Sequence, residues 1–215
     1  SFGAPVPSTI KDNFRFESWK LLVPPFLHGG VVHLVSNLSW QLSTGATLER
    51  AWGSWRVAFV FFASALFGTL CSVQVRSWDV VIIGSSGGVC GLMGATFADH
   101  LLNHSVILHP QSQLRFWTFG IVFMLSLGLL PVMDNITHSS GLIAGFAAGL
   151  LAIPDLTDLD MPQHESKLKW RLLGLGMCVL LIGGVLHTLV EHIPWECGAV
   201  YGREWCCWLF FSLSC

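Results

Sequence analysis

The sequence predicts an all-α, polytopic transmembrane helical bundle. Hydrophobic residues make up 53% of the 215 residues, charged residues only 11%, and the mean hydropathy is +0.62, far from the balance of soluble domains. Five runs without Asp, Glu, Lys or Arg approach the roughly 20 residues that cross a bilayer: 57–75, 80–98, 116–133, 135–154 and 172–190. A sixth uncharged run, 31–48, is more polar, and we include it as a span because of its neighbours.

Prolines and charged turns divide the chain into three parts. The Pro24-Pro25 pair interrupts any helix near the start, so we interpret 1–27 as an interfacial lead loop. A membrane domain follows over 28–190, and 191–215 form a tail rich in cysteine and tryptophan. The six spans are predicted at about 28–48, 57–75, 80–103, 114–133, 135–154 and 171–190.

The distribution of positive charge predicts the orientation in the membrane. The loops that follow the first, third and fifth spans carry six cations, whereas the other two loops carry only Arg76. The six are Arg50, Arg56, Arg115, Lys167, Lys169 and Arg171. Because cationic loops stay on the cytoplasmic side, we expect the lead loop, the tail and the N-terminal ends of the first, third and fifth spans on the lumenal or extracellular side.

Cysteines and histidines raise the question of metal binding. Four of the seven cysteines crowd the tail, at Cys197, Cys206, Cys207 and Cys215. On the lumenal side they favour two disulfides, with three pairings open; zinc is the alternative, but the spacing lacks paired Cys-x-x-Cys. His100, His104 and His109 are interpreted as interfacial residues, and no metal or other cofactor is predicted. The net charge of -2 supplies no basic surface, which argues against nucleic acid as a partner.

Two polar side chains suggest nucleophilic catalysis. Ser86 lies near the start of the third span, and His138 lies near the start of the fifth, which enters from the same side. A neutral imidazole within hydrogen-bond reach activates a serine, so the two could form a Ser-His dyad without an aspartate. Alone, the serine would be interpreted as a packing residue and the histidine as part of an ion or proton pathway. Their conjunction favours the dyad.

The first span adds candidate hydrogen-bond donors on the same side. His28, His33 and Asn37 follow the pattern His-x4-His-x3-Asn, and residues four apart share a helix face. Acyl transfer develops a negative oxygen that such donors stabilise. We therefore predict that Asn37, with the backbone N–H of Ser86, contributes to an oxyanion site.

Glycines on two spans predict that these spans touch. The third span presents Gly87 and Gly91, and the fifth presents Gly141 and Gly145, each pair at four-residue spacing. Small residues at this spacing let membrane helices approach closely. Contact between the two faces would bring Ser86 to His138.

Taken together, these motifs resemble the rhomboid intramembrane serine proteases. The similarity rests on Gly-x-Ser-Gly at 84–87, on the histidine span with its glycines at 137–149, on the His-His-Asn pattern, and on Leu-Glu-Arg at 48–50. The resemblance implies that Ser86 is the nucleophile and His138 the base. It further implies that His28 and Asn37 help to form the oxyanion hole and that His33 supports the site.

The details of the resemblance point to the eukaryotic secretory-pathway, plant-type branch. Asp134-Asn135, the sixth span and the tail are similar to that branch. The chain departs from the family at Thr137, where alanine is usual, and at Lys20, where arginine is usual. The helix that usually precedes the lead loop is not visible. Either it was removed or left out of this sequence, or the chain is a degraded member of the family; a neighbouring helix or subunit is the candidate replacement.

We therefore predict an intramembrane serine endopeptidase in the lipid bilayer that cleaves single-span membrane proteins within their transmembrane segments. The expected location is the Golgi or plasma membrane, with the active site facing the lumen or the outside; an organellar membrane is the alternative. A second reading is a catalytically silent, rhomboid-like structural or binding subunit of a larger membrane complex. A proton-coupled transporter that uses His138 would be expected to show related halves, which the sequence lacks.

Overall fold

The computed structural model describes residues 21–75, 82–128, 133–154 and 167–192, with side chains as far as His187. Over these residues the chain forms a short 3-10 turn, Pro24–Phe26, and six α-helices, with no strand. The helices are α1 (Val31–Trp52), α2 (Ser54–Val75), α3 (Ser86–Asn103), α4 (Pro110–Leu127), α5 (Asn135–Ala152) and α6 (Leu168–His192). The predicted all-α class is confirmed.

Backbone chemistry accounts for four of the helix boundaries that differ from the predicted spans. The helix α1 starts after Gly30 and stops before Gly53, and both glycines have positive φ values, 141° and 87°. The helix α3 starts at Ser86 rather than near 80, because Gly84 has a φ of 112°, which no helical residue adopts. The helix α4 starts four residues earlier than predicted, at Pro110, because proline is well suited to the first helical position.

The apolar character of the six helices differs. By length and composition, two of the described helices could cross a membrane: Ser54–Val75, and Leu168–His187 within α6. Both expose large hydrophobic side chains, among them Phe59 and Phe62 on α2 and Leu180 on α6. The other four helices carry more polar residues or glycine, which lowers their hydropathy. In α3 these small and polar groups face inward, because every residue from Ser86 to Thr96 is buried.

The core is formed by α2, α3 and α5, each of which packs against the other two. A Cβ atom added to Gly87, Gly91 or Gly94 would clash with α2 or α5. Gly141 lies against Gly87, and Gly145 lies against Gly91. Since both contacts advance in the same direction along the two helices, α3 and α5 are parallel, and their N-terminal ends lie at the same end of the bundle.

The opposite end of the bundle is joined by polar contacts to α6. Arg171 donates hydrogen bonds to three carbonyl groups at the C-terminal end of α5, those of Leu150 (2.6 Å), Leu151 (3.0 Å) and Ile153 (2.7 Å). These carbonyls lack partners within their own helix. Arg171 therefore caps α5 and attaches α6 to it.

Candidate active site

Ser86 is the first residue of α3, and an unusual turn precedes it. Gly84, at positive φ, donates its N–H to the Pro24 carbonyl at 2.9 Å. A Cβ on Gly84 would lie 2.8 Å from Nε2 of His33, which is too close for a non-bonded contact. Glycine is therefore required here for two reasons, the backbone angle and the approach of the His33 ring.

His138 lies in the first turn of α5 and faces Ser86. Its Nε2 is 2.8 Å from Ser86 Oγ, and the two residues are only 2% and 8% exposed. The sequence places the two side chains 52 residues apart, and the parallel contact between α3 and α5 joins them. With the proton on Nδ1, Nε2 accepts a hydrogen bond from the serine hydroxyl, which is the arrangement that activates a nucleophile.

The second nitrogen of His138 has a different environment. Nδ1 is buried and has no hydrogen-bond partner among the described residues; the backbone of Met124 in α4 lies beside the ring. In a serine triad this nitrogen donates to a carboxylate that holds the ring in place. Here the described residues form a two-residue arrangement without that carboxylate.

The N-terminus of α5 is capped by Asp134. One oxygen, Oδ1, accepts from the N–H groups of Ile136 (3.1 Å) and Thr137 (3.4 Å). The other, Oδ2, accepts from the Thr137 hydroxyl at 2.5 Å and forms a short hydrogen bond with the hydroxyl of Ser72 in α2. From the sequence, Asp134 is named only as part of the resemblance to the plant-type branch, and Ser72 is missed. Aspartate before a helix is a recognised cap, but no spacing rule connects it to a serine 62 residues away.

Of the three polar residues on α1 and its approach, His33 is the one that reaches the turn before Ser86. The rings of His28 and His33 are 5.2 Å apart, and His33 Nδ1 accepts from the Gly29 N–H at 3.3 Å. Nε2 of His28 is buried and has no partner within the described part of the chain. Asn37 is 5% exposed and donates one amide hydrogen to the His33 carbonyl at 3.1 Å. Two groups therefore retain hydrogen-bonding capacity: His28 Nε2 and the second amide hydrogen of Asn37.

The other predicted residues are the cysteines of the tail and the histidines considered for metal binding. Cys197, Cys206, Cys207 and Cys215 lie outside the described residues, so their disulfides remain a prediction. The described residues contain no group of three or more metal-ligating side chains. Both ring nitrogens of His100 lie within hydrogen-bond distance of backbone carbonyls, those of Thr96 (2.7 Å) and Pro110 (3.2 Å).

Comparison with known proteins identifies the family of this chain. The family model described as a Rhomboid domain matches residues 15–155, about two thirds of the sequence. The chain belongs to the rhomboid family. As expected of that family, this rhomboid is a membrane protein with an all-α fold.

Individual relatives come from plants, fungi and a parasite. The rhomboid chain is 33% identical to RHOMBOID-like protein 5 of Arabidopsis thaliana over 82% of its own length and 63% of the relative's. It is 32% identical to Rhomboid-like protease 1 of Toxoplasma gondii, covering 73% of this chain and 54% of that protein. It is also 32% identical to Rhomboid-type serine protease 2 of Emericella nidulans, over 69% of this chain and 30% of that protein. The rhomboid sequence thus spans about half the length of the curated relatives it matches.

Proposed function

We propose that this protein is an intramembrane serine endopeptidase in which Ser86 is the nucleophile and His138 the general base. The observation that carries the proposal is the 2.8 Å approach of Ser86 Oγ to His138 Nε2 within the buried interior. Two relatives that are named as proteases support the reaction class.

The reaction follows from the acceptor role of Nε2. As Ser86 Oγ attacks the carbonyl carbon of the scissile bond, its proton passes to His138 Nε2. The imidazolium then gives that proton to the leaving amide nitrogen, the C–N bond breaks, and an ester to Ser86 remains. Water then attacks the ester in the same way, with His138 taking its proton and returning it to the serine oxygen. This releases the acid product and regenerates Ser86.

The N-terminus of α3 is suited to stabilising the oxyanion. The first N–H groups of a helix have no partner within it, and the preceding residue, Ser85, supplies no side-chain cap. In the proposed mechanism these donors stabilise the negative oxygen of the tetrahedral intermediate on Ser86, and the helix dipole adds to their effect. His28 Nε2 and the second hydrogen of Asn37 are further donors for the same oxygen.

The proposed substrates are single-span membrane proteins in the lipid bilayer. A helical substrate must unwind locally, because an intact helix shields its carbonyl groups, and opening its hydrogen bonds in lipid is costly. Small and helix-breaking residues near the cleavage site should therefore favour cleavage. The charge bias of the loops supports an active site that faces the lumen or the outside of a Golgi or plasma membrane.

The test is cleavage of a model single-span substrate by the whole chain in liposomes. Ser86→Ala should reduce the rate at least about a thousand-fold, because the nucleophile is removed. Ser43→Ala is the matched control, since that exposed hydroxyl bonds only to carbonyls of its own helix, α1. Equal product from Ser86→Ala and the unmodified protein would refute the proposal. Failure of a fluorophosphonate to label Ser86 in the folded protein would favour the silent-subunit alternative.

A further inference from the structure

Apart from the contact with Ser86, hydrogen bonds of the ring itself do not fix the orientation of His138. Among the described residues its Nδ1 makes no hydrogen bond of full geometry and has only the Met124 backbone beside it, so no carboxylate holds the imidazole from behind as in a triad. The orientation of the ring toward Ser86 then depends on the backbone that carries it. That backbone is the first turn of α5, where the His138 N–H donates to the Asp134 carbonyl at 3.2 Å.

The first turn of α5 is attached to α2 by a buried set of hydrogen bonds, which we call the Asp134 pin: Asp134, Thr137 and Ser72. The Asp134 carboxylate accepts from both hydroxyls, that of Thr137 in α5 and that of Ser72 in α2. Ser72 is fully buried, and Thr137 is buried. Water cannot readily replace such bonds, so the pin holds α5 in register with α2 at the level of His138.

The methyl group of Thr137 fixes the same turn against α3. A Cβ on Gly87 would lie 2.7 Å from Thr137 Cγ2, and a Cβ on Gly68 would lie 3.1 Å from it. The glycines of α2 and α3 thus leave room for this one methyl group. Since Gly87 is adjacent to Ser86, the residue before His138 touches the residue after the nucleophile.

We infer that Asp134 is a positioning residue: through Ser72 and Thr137 it holds the His138 imidazole at reaction distance from Ser86, in place of a third catalytic side chain. The inference rests on the proposed function. It assigns the hydroxyl and the methyl group of Thr137 separate tasks. The hydroxyl completes the pin, whereas the methyl group fills space between the helices.

A pair of substitutions at Thr137 separates these tasks. Thr137→Val keeps the shape and removes the hydroxyl, so kcat should fall about 10- to 100-fold with KM unchanged, as expected for a small displacement of a catalytic group. Thr137→Ser keeps the hydroxyl and removes the methyl group. It should lower the melting temperature yet retain kcat within about two-fold of the unmodified protein, by the same reasoning.

Ser72→Ala tests the other end of the pin, and Thr69→Val is its control. Thr69 is a buried residue of α2, three positions before Ser72, whose hydroxyl bonds to the Ala65 carbonyl of its own helix at 2.9 Å. Ser72→Ala should slow both substrate turnover and the labelling of Ser86 by a fluorophosphonate. Thr69→Val should leave both rates within about two-fold, because it does not touch the pin. All rates are measured below the melting temperature of every variant, with the full chain in liposomes.

Several outcomes overturn the inference. One is wild-type kcat in Thr137→Val and Ser72→Ala. Another is an equal loss of kcat in Thr137→Ser and Thr137→Val, which would assign Thr137 to packing alone. A third is a loss of turnover that follows the melting temperature in all variants, including Thr69→Val. If the unmodified protein itself neither cleaves nor labels, the proposed function fails and the inference with it. If cleavage depends on Ser86 while the pin variants stay active, only the inference fails.

Discussion

Gly84 shows how one residue without a side chain shapes the candidate active site. Its positive φ turns the backbone into α3, and its missing Cβ leaves space for the His33 ring. Its N–H also joins this turn to the Pro24 carbonyl. The position of Ser86 therefore depends on a residue that takes no part in the chemistry.

Gly84→Ala should impair activity without removing any reactive group. A side chain at this φ costs about 1–3 kcal/mol, and the added Cβ would press on the His33 ring at 2.8 Å. We expect kcat/KM to fall at least about ten-fold, the equivalent of 1.36 kcal/mol. Gly45→Ala in α1 is the control, because a Cβ there meets nothing within 4 Å. The measurement is cleavage of the single-span substrate; unchanged kcat/KM in Gly84→Ala would show that the turn tolerates a side chain.

At this scale the sequence predicted the approach of Ser86 to His138, but not the residues that hold His138 in place. Ser86 and His138 could be placed together because each lies near the start of a span that enters from the same side. The role of Asp134 could not be predicted, because its partner Ser72 carries no motif and is one of several small polar residues in a largely apolar helix. Thr137 was noted only as a departure from the family, and the structure uses both its hydroxyl and its methyl group.

At the scale of elements, α3 and α5 contact each other through backbone atoms. Gly91 and Gly145 lie opposite each other, and a Cβ on Gly145 would fall onto backbone atoms of Gly91. Backbone atoms cannot move aside as a flexible side chain can. The four-residue glycine spacing was sufficient to predict that these helices touch. It was insufficient to predict where α3 begins, because that boundary depends on the φ of one glycine.

Gly145→Ala should therefore destabilise the bundle. Forcing a methyl group into a filled interface costs about 1–3 kcal/mol of unfolding free energy. Gly183→Ala in α6 is the matched control: its Cβ would meet nothing within 4 Å, and alanine raises helix propensity by up to about 1 kcal/mol. Unfolding in mixed micelles would measure both. Equal unfolding free energies for the two variants would contradict the close contact.

At the scale of the whole molecule, the bundle is secured at both ends of α5. The Asp134 pin joins its N-terminus to α2, and Arg171 joins its C-terminus to α6. The sequence predicted six helices from uncharged runs, and the family match confirms the fold class. The interpretation of Arg171 was limited to its charge, as an orientation signal, because three carbonyl partners in another helix leave no trace in a one-dimensional pattern.

Arg171→Lys should weaken the attachment of α6. Lysine keeps the charge, but its single ammonium cannot reproduce the planar fork that reaches three carbonyls. We expect a loss of about 1–3 kcal/mol in unfolding free energy. Arg115→Lys is the control, since Arg115 is exposed and donates to Ser112 of its own helix. If both variants unfold at the same denaturant concentration, the cap contributes nothing to stability.

Three glycines lie at the close contact between α3 and α5: Gly91, Gly94 and Gly145. This contact, which we call the glycine seam, also determines how the sequence can vary. Any amino acid change at Gly91, Gly94 or Gly145 adds atoms, and at each of these positions the added atoms meet backbone or a buried side chain. Glycine is the smallest amino acid, so every missense change at these positions adds atoms to a filled interface and should destabilise the fold. At Gly176 and Gly183 of α6 the same changes enter open space. A random mutant library selected for folded protein should therefore retain variation along α6 and be depleted of it along the seam.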